Sequence, residues 1–284
     1  MAEYLVLYNP HSGNGRGSQA TEVIKERLTE DTLKFEDITK ITDYVAYFKA
    51  LEPGKKVIIT GGDGTLNRFV NDVDCDNIDQ DIYYFATGSG NDFLCDLGKT
   101  TSDCPILIND YIKNLPIAVI KGKKYKFING IGYGIDGYCC EVGDRVRATS
   151  TKKVDYTSIA IKGLLFHYKP TNAKITIDGV VHNFRKVWLA PTMHGRYYGG
   201  GMMATPGQDR LNNKQTCSTL VFYGAGRLHT LMMFPSIFKG EHVKYTKHVL
   251  VMKGHEIKVE FDSPTALQVD GETILGVSEY TVYA

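Results

Sequence analysis

Val57-Ile58-Ile59-Thr60-Gly61-Gly62-Asp63-Gly64-Thr65-Leu66-Asn67-Arg68-Phe69-Val70 is the stretch from which the fold is read. Its apolar, β-branched start reads as a buried strand. The strand ends in three glycines around one carboxylate, where the backbone can turn sharply and approach a ligand closely. Residues 66–70 then read as a first helical turn, whose free amides favour an anion. Strand, glycine-rich turn and helix start together make a phosphate cradle. A carboxylate and a phosphate repel each other, so Asp63 in such a cradle requires a cation or a transferable proton nearby. The stretch therefore points to metal-nucleotide chemistry; the competing reading is a plain strand-to-helix turn in which Asp63 only caps the helix.

Two further segments repeat the arrangement. Residues 4–8 form a strand pattern, followed by Asn9-Pro10-His11-Ser12-Gly13-Asn14-Gly15-Arg16-Gly17 and then helical spacing over 19–30. This loop lacks the Gly-Lys-Ser/Thr ending of a Walker loop and is not a clean dinucleotide fingerprint. After a strand pattern at 81–85 comes Ala86-Thr87-Gly88-Ser89-Gly90-Asn91-Asp92-Phe93, with Asp92 either a second site carboxylate or a helix cap. Loops beyond the carboxyl ends of strands form the ligand crevice of open α/β sheets. Three such loops after successive strands make a shared site the stronger reading.

Composition narrows the class. The chain has 284 residues, 43% hydrophobic and 23% charged, which suits a folded protein of one large or two modest domains. A net charge of +1 implies no global attraction to nucleic acid, and no nucleic-acid partner is expected. No signal peptide and no spanning apolar run are read, so a cytoplasmic protein is expected. The six cysteines include no C-x-x-C pair and read as free thiols, and the eight histidines show no metal-ligand spacing.

Strand and helix patterns alternate to about residue 117, with a last helix expected over 104–113, which argues a parallel α/β sheet. After Pro116 the pattern turns to strands, expected over 117–120, 124–130, 173–177, 180–190, 217–223, 243–252, 256–261 and 266–269. Helical spacing appears at 138–148, 156–167 and 227–238. Asp178-Gly179 and Asp270-Gly271 are hairpin signals. In Gly132-Tyr133-Gly134-Ile135-Asp136, alternating glycines allow close approach of a bulky group, and Asp136 can cap the next helix. Gly199-Gly200-Gly201, between aromatics and methionines, reads as a mobile loop, the functional alternative being an adaptable mouth for an acyl chain.

Asn9-Pro10-x-Ser12-Gly13-x-Gly15, Gly61-Gly62-Asp63-Gly64-Thr65-Leu66-Asn67, Gly88-Ser89-Gly90-Asn91-Asp92 and the late Asp270-Gly271-Glu272, in this order, resemble the diacylglycerol kinase and sphingosine kinase superfamily. The small bacterial lipid kinases are the most similar branch. The resemblance implies an N-terminal Rossmann-like parallel α/β domain over residues 1–117 that binds nucleotide. It implies a β-rich antiparallel sandwich domain over 118–272 for the lipid substrate, an active site in the cleft between them, and a short segment, 273–284, returning to the first domain.

The activity so implied is ATP-dependent transfer of a γ-phosphoryl group to a lipid hydroxyl, with diacylglycerol giving phosphatidic acid as the first choice. Other lipid acceptors (a sphingoid base, a phosphatidylglycerol-type lipid) and NAD kinase-type chemistry are the alternatives; a sensor without turnover is a third. Asn9, Pro10, Ser12, Gly13, Thr39, Gly61, Gly62, Asp63, Gly64, Thr65, Asn67, Ser89 and Asn91 would hold nucleotide. Asp63 and Asp92 would hold Mg²⁺, and Glu272, or alternatively Asp63, would take the hydroxyl proton. The family places an Asp like Asp136 beside the lipid headgroup. Its structural magnesium loop, Asp-Gly-x-Leu, corresponds here to residues 206–214, where Asp209 is the one carboxylate and the Asp-Gly is absent. Arg68 stands where the family usually has Glu. The implied partners are ATP and a lipid at the inner membrane face, with a homodimer left open. A basic and apolar run from Arg145 to Lys169, including Lys152 and Lys153, is the candidate membrane-facing patch; a solvated basic face over an ordinary core helix is the competing reading and the one the pattern favours.

Overall fold

Strand β1 (Glu3–Tyr8) starts the chain, followed by α1 (Gly17–Arg27), β2 (Thr32–Asp37), α2 (Tyr44–Ala50), β3 (Lys56–Gly61), α3 (Asp63–Asp72), β4 (Asp81–Ala86), α4 (Asp92–Asp96), β5 (Ile106–Leu107) and α5 (Asn109–Ile112). The computed structural model describes residues 1–10, 17–88, 90–150 and 154–284. They fall into two units, Met1–Leu115 and Pro116–Ala284. In the first, the sheet order is β2-β1-β3-β4-β5, with the first four strands parallel. Val57, Ile58 and Ile59 are fully buried, as expected of a strand covered on both faces. Ile24 of α1, Phe48 of α2 and Leu66, Phe69 and Val70 of α3 supply the covering layers. Phe48 and Phe69 meet edge-on at 5.5 Å.

The helix expected over 104–113 does not form. Pro105 lacks the N–H a helix interior needs. Ile106 and Leu107 instead pair antiparallel with Tyr84 and Tyr83, and only Asn109–Ile112 turns helical. α3 also begins earlier than residue 66, with Asp63 in its first turn.

The second unit contains β6 (Ile117–Ile120), β7 (Lys123–Lys126), β8 (Gly130–Gly134), α6 (Ile135–Thr149), α7 (Tyr156–Lys162), β9 (Thr171–Ile177), β10 (Val180–Met193), β11 (Tyr197–Tyr198), β12 (Met202–Met203), β13 (Cys217–Tyr223), α8 (Arg227–Met233), β14 (Val249–Gly254), β15 (Glu256–Val269) and β16 (Glu272–Tyr283). A π-turn, Gly163–His167, continues α7. Its main sheet runs β14-β13-β10-β8-β15-β16-β6-β7, and β9 pairs with both β10 and β15. Two 14-residue strands make this closure possible. The first part of β10 pairs with β9 and its end with β8, with a register shift between Phe184 and Val187. β15 does the same, pairing with β9 over Ile257–Phe261 and with β8 over Leu267–Val269. Bulges bend such strands and let them pass from one layer to the other. The enclosed core includes Tyr133, Ile175, Val187, Val259, Phe261, Leu267 and Tyr280.

Several expectations are corrected here. Residues 256–261 and 266–269 belong to one strand. The strand expected over 124–130 is two, β7 and β8. The strand expected from 243 begins at Val249, because Glu241–Lys244 is a 3₁₀ turn pinned by His242 Nε2 against the Ala204 carbonyl at 2.9 Å. The terminal segment, expected to return to the first domain, is β16, bonded to β15 and β6 inside this sheet. Gly199, Gly200 and Gly201, with φ of 63°, 83° and 104°, turn the short β11–β12 hairpin, and its Tyr198 and Met202 are buried in a core. Among the described residues no helix is long and apolar enough to cross a membrane.

Candidate active site

The two glycine loops described in the first unit are built against each other. A Cβ on Gly88 would stand 2.7 Å from the Gly62 Cα, and one on Gly61 would stand 2.4 Å from Thr65 Oγ1. Neither position has room for a side chain. Gly64, by contrast, is exposed, and a Cβ added there would meet nothing within 4 Å. The loops are tied by Thr87 N–H donating to the Gly61 carbonyl at 2.9 Å, and by Tyr84 Oη donating to the same oxygen at 3.1 Å. Asp63 completes the tie: its carboxylate accepts Asp92 N–H at 2.8 Å and Phe93 N–H at 3.4 Å. Asp63 therefore sits in the first turn of α3 and closes the start of α4 as well.

Asp92 is buried in the first turn of α4, and Asn91 before it adopts a left-handed φ of 51°. Asn91 Oδ1 and Thr60 Oγ1 are buried with no hydrogen-bond partner among the described residues. Buried polar atoms of this kind need explanation, and a bound polar ligand supplies one. Asn67 is buried on α3, where its carbonyl accepts Asn71 Nδ2–H at 2.9 Å. Asn9 and Pro10 follow β1 directly. Ser12, Gly13 and Ser89 lie outside the described residues. Arg68 is exposed and pairs with Asp72 at 3.4 Å, one turn further along α3.

A cavity of about 640 Å³ opens at the ends of β1 and β2, lined by residues including Tyr8, Glu36, Asp37, Lys40, Asp43 and Tyr47. Thr39, expected among the nucleotide-holding residues, adjoins the lining residue Lys40 and is not itself part of the lining, and none of the lining residues was singled out from the sequence. Thr39 donates its N–H and hydroxyl to Asp37 Oδ1 at 2.9 and 2.6 Å, which fixes the 3₁₀ turn beside the cavity. Tyr47 donates to Glu36, and burial followed by that bond raises its phenol pKa. Acidic groups at the end of β2 are where open α/β sheets receive ribose hydroxyls. The signal available in the sequence was the Glu36-Asp37 pair ending a strand pattern.

In the second unit the glycines of β8 serve the fold. A Cβ on Gly132 would stand 2.5 Å from the Pro191 Cα of β10, so the bulky group they admit is the neighbouring strand. Asp136, in the first turn of α6, is buried, and burial pushes its carboxyl up to about 7 against the opposing pull of the Gly137 N–H, which donates to its Oδ1 at 2.8 Å, and of the nearby Gln268 side chain. Gln268 in turn accepts Gly271 N–H at 2.9 Å. Asp270 receives three backbone amides, from Ile128 at 2.6 Å and from Asn129 and Gly130 at 2.9 Å each. It thereby anchors the β15–β16 turn to the start of β8, a role the sequence did not announce. Glu272, two residues on, is exposed on the first position of β16.

Asp209 is exposed, and its Oδ1 accepts Leu211 N–H at 3.0 Å in a local turn. Among the described residues no three His, Cys, Asp or Glu side chains come together as a metal cluster. Mg²⁺ needs no such cage: it keeps several waters and takes one or two carboxylates plus substrate phosphates. The acidic, backbone-rich surroundings of Asp63 and Asp92 suit that mode of binding.

Comparison with known proteins agrees with this architecture unit by unit. Residues 3–120 match the diacylglycerol kinase catalytic domain, and residues 129–281 match the YegS C-terminal NAD kinase beta sandwich-like domain. A diacylglycerol kinase of Bacillus subtilis (strain 168) is 24% identical, the match covering 94% of this chain and 88% of that protein. A diacylglycerol kinase of Mycobacterium tuberculosis (strain ATCC 25618 / H37Rv) is 25% identical over 84% of this chain and 79% of its own. The crystal structure of a diacylglycerol kinase from Bacillus anthracis str. Sterne superimposes with a TM-score of 0.64 at 19% identity, covering 99% of this chain and 93% of that one. With both unit folds and both family models in agreement, the chain belongs to the diacylglycerol kinase-like lipid kinase family, and its enzyme class is that of a lipid kinase.

Proposed function

We propose that the chain transfers the γ-phosphoryl group of ATP to the hydroxyl of diacylglycerol, giving phosphatidic acid and ADP. The observation that carries the nucleotide part is the Asp63 tie, which holds two glycine loops and two helix starts together at the carboxyl edge of a parallel sheet. The curated relatives named diacylglycerol kinase support the acceptor.

Phosphoryl transfer asks a protein mainly for positioning and charge neutralisation. Mg²⁺, when bound through Asp63 and Asp92, would offset phosphate charge. Asn9, Pro10, Ser12, Gly13, Gly61, Gly62, Gly64, Thr65, Asn67, Ser89 and Asn91 would hold the triphosphate, with Thr39 and the cavity beside it receiving the nucleoside. The acceptor oxygen forms its bond to the γ-phosphorus as the bond to ADP breaks, and Glu272 takes the departing proton. An alcohol's pKa lies far above a carboxylate's, so that proton moves only as the new bond forms. Asp136, in the first turn of α6, would contact the headgroup end of the lipid.

The test is ATP consumption by the purified chain with Mg²⁺ and, in turn, diacylglycerol, a sphingoid base, phosphatidylglycerol and NAD. Turnover with diacylglycerol above all others is expected; NAD-only turnover, or none with any lipid, overturns the reading.

A further inference from the structure

Resting on the lipid kinase reading, we infer that the layer formed by α7, its π-turn and α8 is the surface on which this protein docks to an anionic lipid bilayer. The two segments pack side by side. Arg227 Nη1 donates to the Leu164 carbonyl at 2.8 Å, and Leu164, Met233 and Ile237 share one buried core. That core consumes the inner faces. The outer faces keep large apolar side chains in water: Phe166 is 70% exposed, Leu228 70% and Met232 72%, with Ile161 and Phe238 also exposed. Leu228 and Met232 lie four residues apart, on one face of α8. Isolated exposed leucines are ordinary, but several on packed neighbouring elements mark an interaction site.

Charge selects the partner. Residues 156–169 and 227–240 contain no Asp or Glu, yet carry Lys162, Lys169, Arg227 and Lys239 together with His167 and His229. The bordering acids are engaged: Asp155 caps α7 by accepting Ser158 N–H at 3.0 Å, and Glu241 pairs with Lys244 at 3.3 Å. The earlier part of the candidate basic run is less suited. Arg145 pairs with Glu141, and Arg147 pairs with Asp144 at 3.0 Å, so α6 presents balanced charge. Lys152 and Lys153 lie outside the described residues. Exposed apolar side chains on segments that carry cations and no acid fit a headgroup layer with negative charge, where the rings and chains enter the acyl boundary and the lysines stay at the phosphates.

The experiment compares the whole chain with the triple variant Phe166→Ser/Leu228→Ser/Met232→Ser in vesicle co-sedimentation. Vesicles are phosphatidylcholine alone or mixed with phosphatidylglycerol. Wild type should bind the mixed vesicles, bind the neutral ones at least about tenfold less, and release from the mixed ones as salt rises from about 0.1 to about 0.5 M. The triple variant should lose about tenfold or more in binding to mixed vesicles while its thermal midpoint stays near wild type, because the changed side chains face solvent. Its turnover of a short-chain diacylglycerol in solution should persist while turnover on vesicles falls. Equal binding by the variant overturns the inference, as does binding indifferent to lipid charge. Self-association of wild type without vesicles, abolished by the same changes, would assign the face to a second copy instead and also overturns it. Vesicle binding without turnover of any lipid would leave the docking surface standing and remove the kinase reading.

Discussion

The carboxylate of Asp63 accepts the backbone N–H of Asp92 at 2.8 Å, across 29 residues of sequence. The two acids of the cradle are thus joined through a main-chain group of one and a side chain of the other. Asp63 has a structural duty as well as a chemical one, and substitutions separate them. Asparagine keeps an oxygen that can accept the Asp92 amide. Asp63→Asn is therefore expected to fold with a thermal midpoint close to wild type and to lose about 100-fold or more in kcat. Asp63→Ala should also lose about 1 kcal/mol of stability with the cap. Calorimetric unfolding and steady-state kinetics on both variants check this; full turnover in the asparagine variant would reduce Asp63 to a cap.

Gly88 and Gly64 make a second contrast. Gly88→Ala drives a methyl group into the Gly62 backbone at 2.7 Å, so a loss of about 1–3 kcal/mol is expected, together with loss of ATP binding. Gly64→Ala meets no protein atom and should leave stability unchanged. If ATP lies against that turn, Gly64→Ala weakens ATP binding alone, which titration calorimetry with Mg²⁺ measures directly.

Asp270 and Glu272 should divide stability from activity. Asp270→Ala strips the acceptor from three amides at residues 128–130, and a fall of about 5–10 °C in thermal midpoint is expected. Glu272→Gln changes an exposed side chain, so the midpoint should hold while kcat falls. Equal midpoints for the two variants would contradict the anchoring role of Asp270.

Asp136 predicts a pH dependence of stability. Its carboxyl is raised by burial to about 7 from 3.8, so the folded state holds a proton that the unfolded state releases. The stabilisation is complete below the unfolded value and is lost as pH rises through the folded one. Within that window this group alone contributes a slope of up to about −1.4 kcal/mol per pH unit. Asp136→Asn removes the titrating group. Its stability relative to wild type should therefore improve steadily from pH 4 to pH 7, as read by unfolding at each pH; a constant difference would refute the shift.

Much of this architecture is written locally. The β-branched run 57–60, the glycines after three strands and the helical spacing between them specify an α/β unit, because strand periodicity and turn stereochemistry are properties of a few adjacent residues. Asp178-Gly179 and Asp270-Gly271 turn as expected, all four with positive φ, for the same reason. Other features depended on residues far apart. That β8's glycines make room for β10, that 256–269 is one bent strand serving two layers, and that Asp270 holds amides about 140 positions earlier in the chain are all outcomes of strand pairing. So is the acid-free apolar face of α7 and α8, whose two halves lie far apart in sequence. A sequence states what each side chain can do; which partner it meets is decided only when packing chooses among chemically equivalent neighbours.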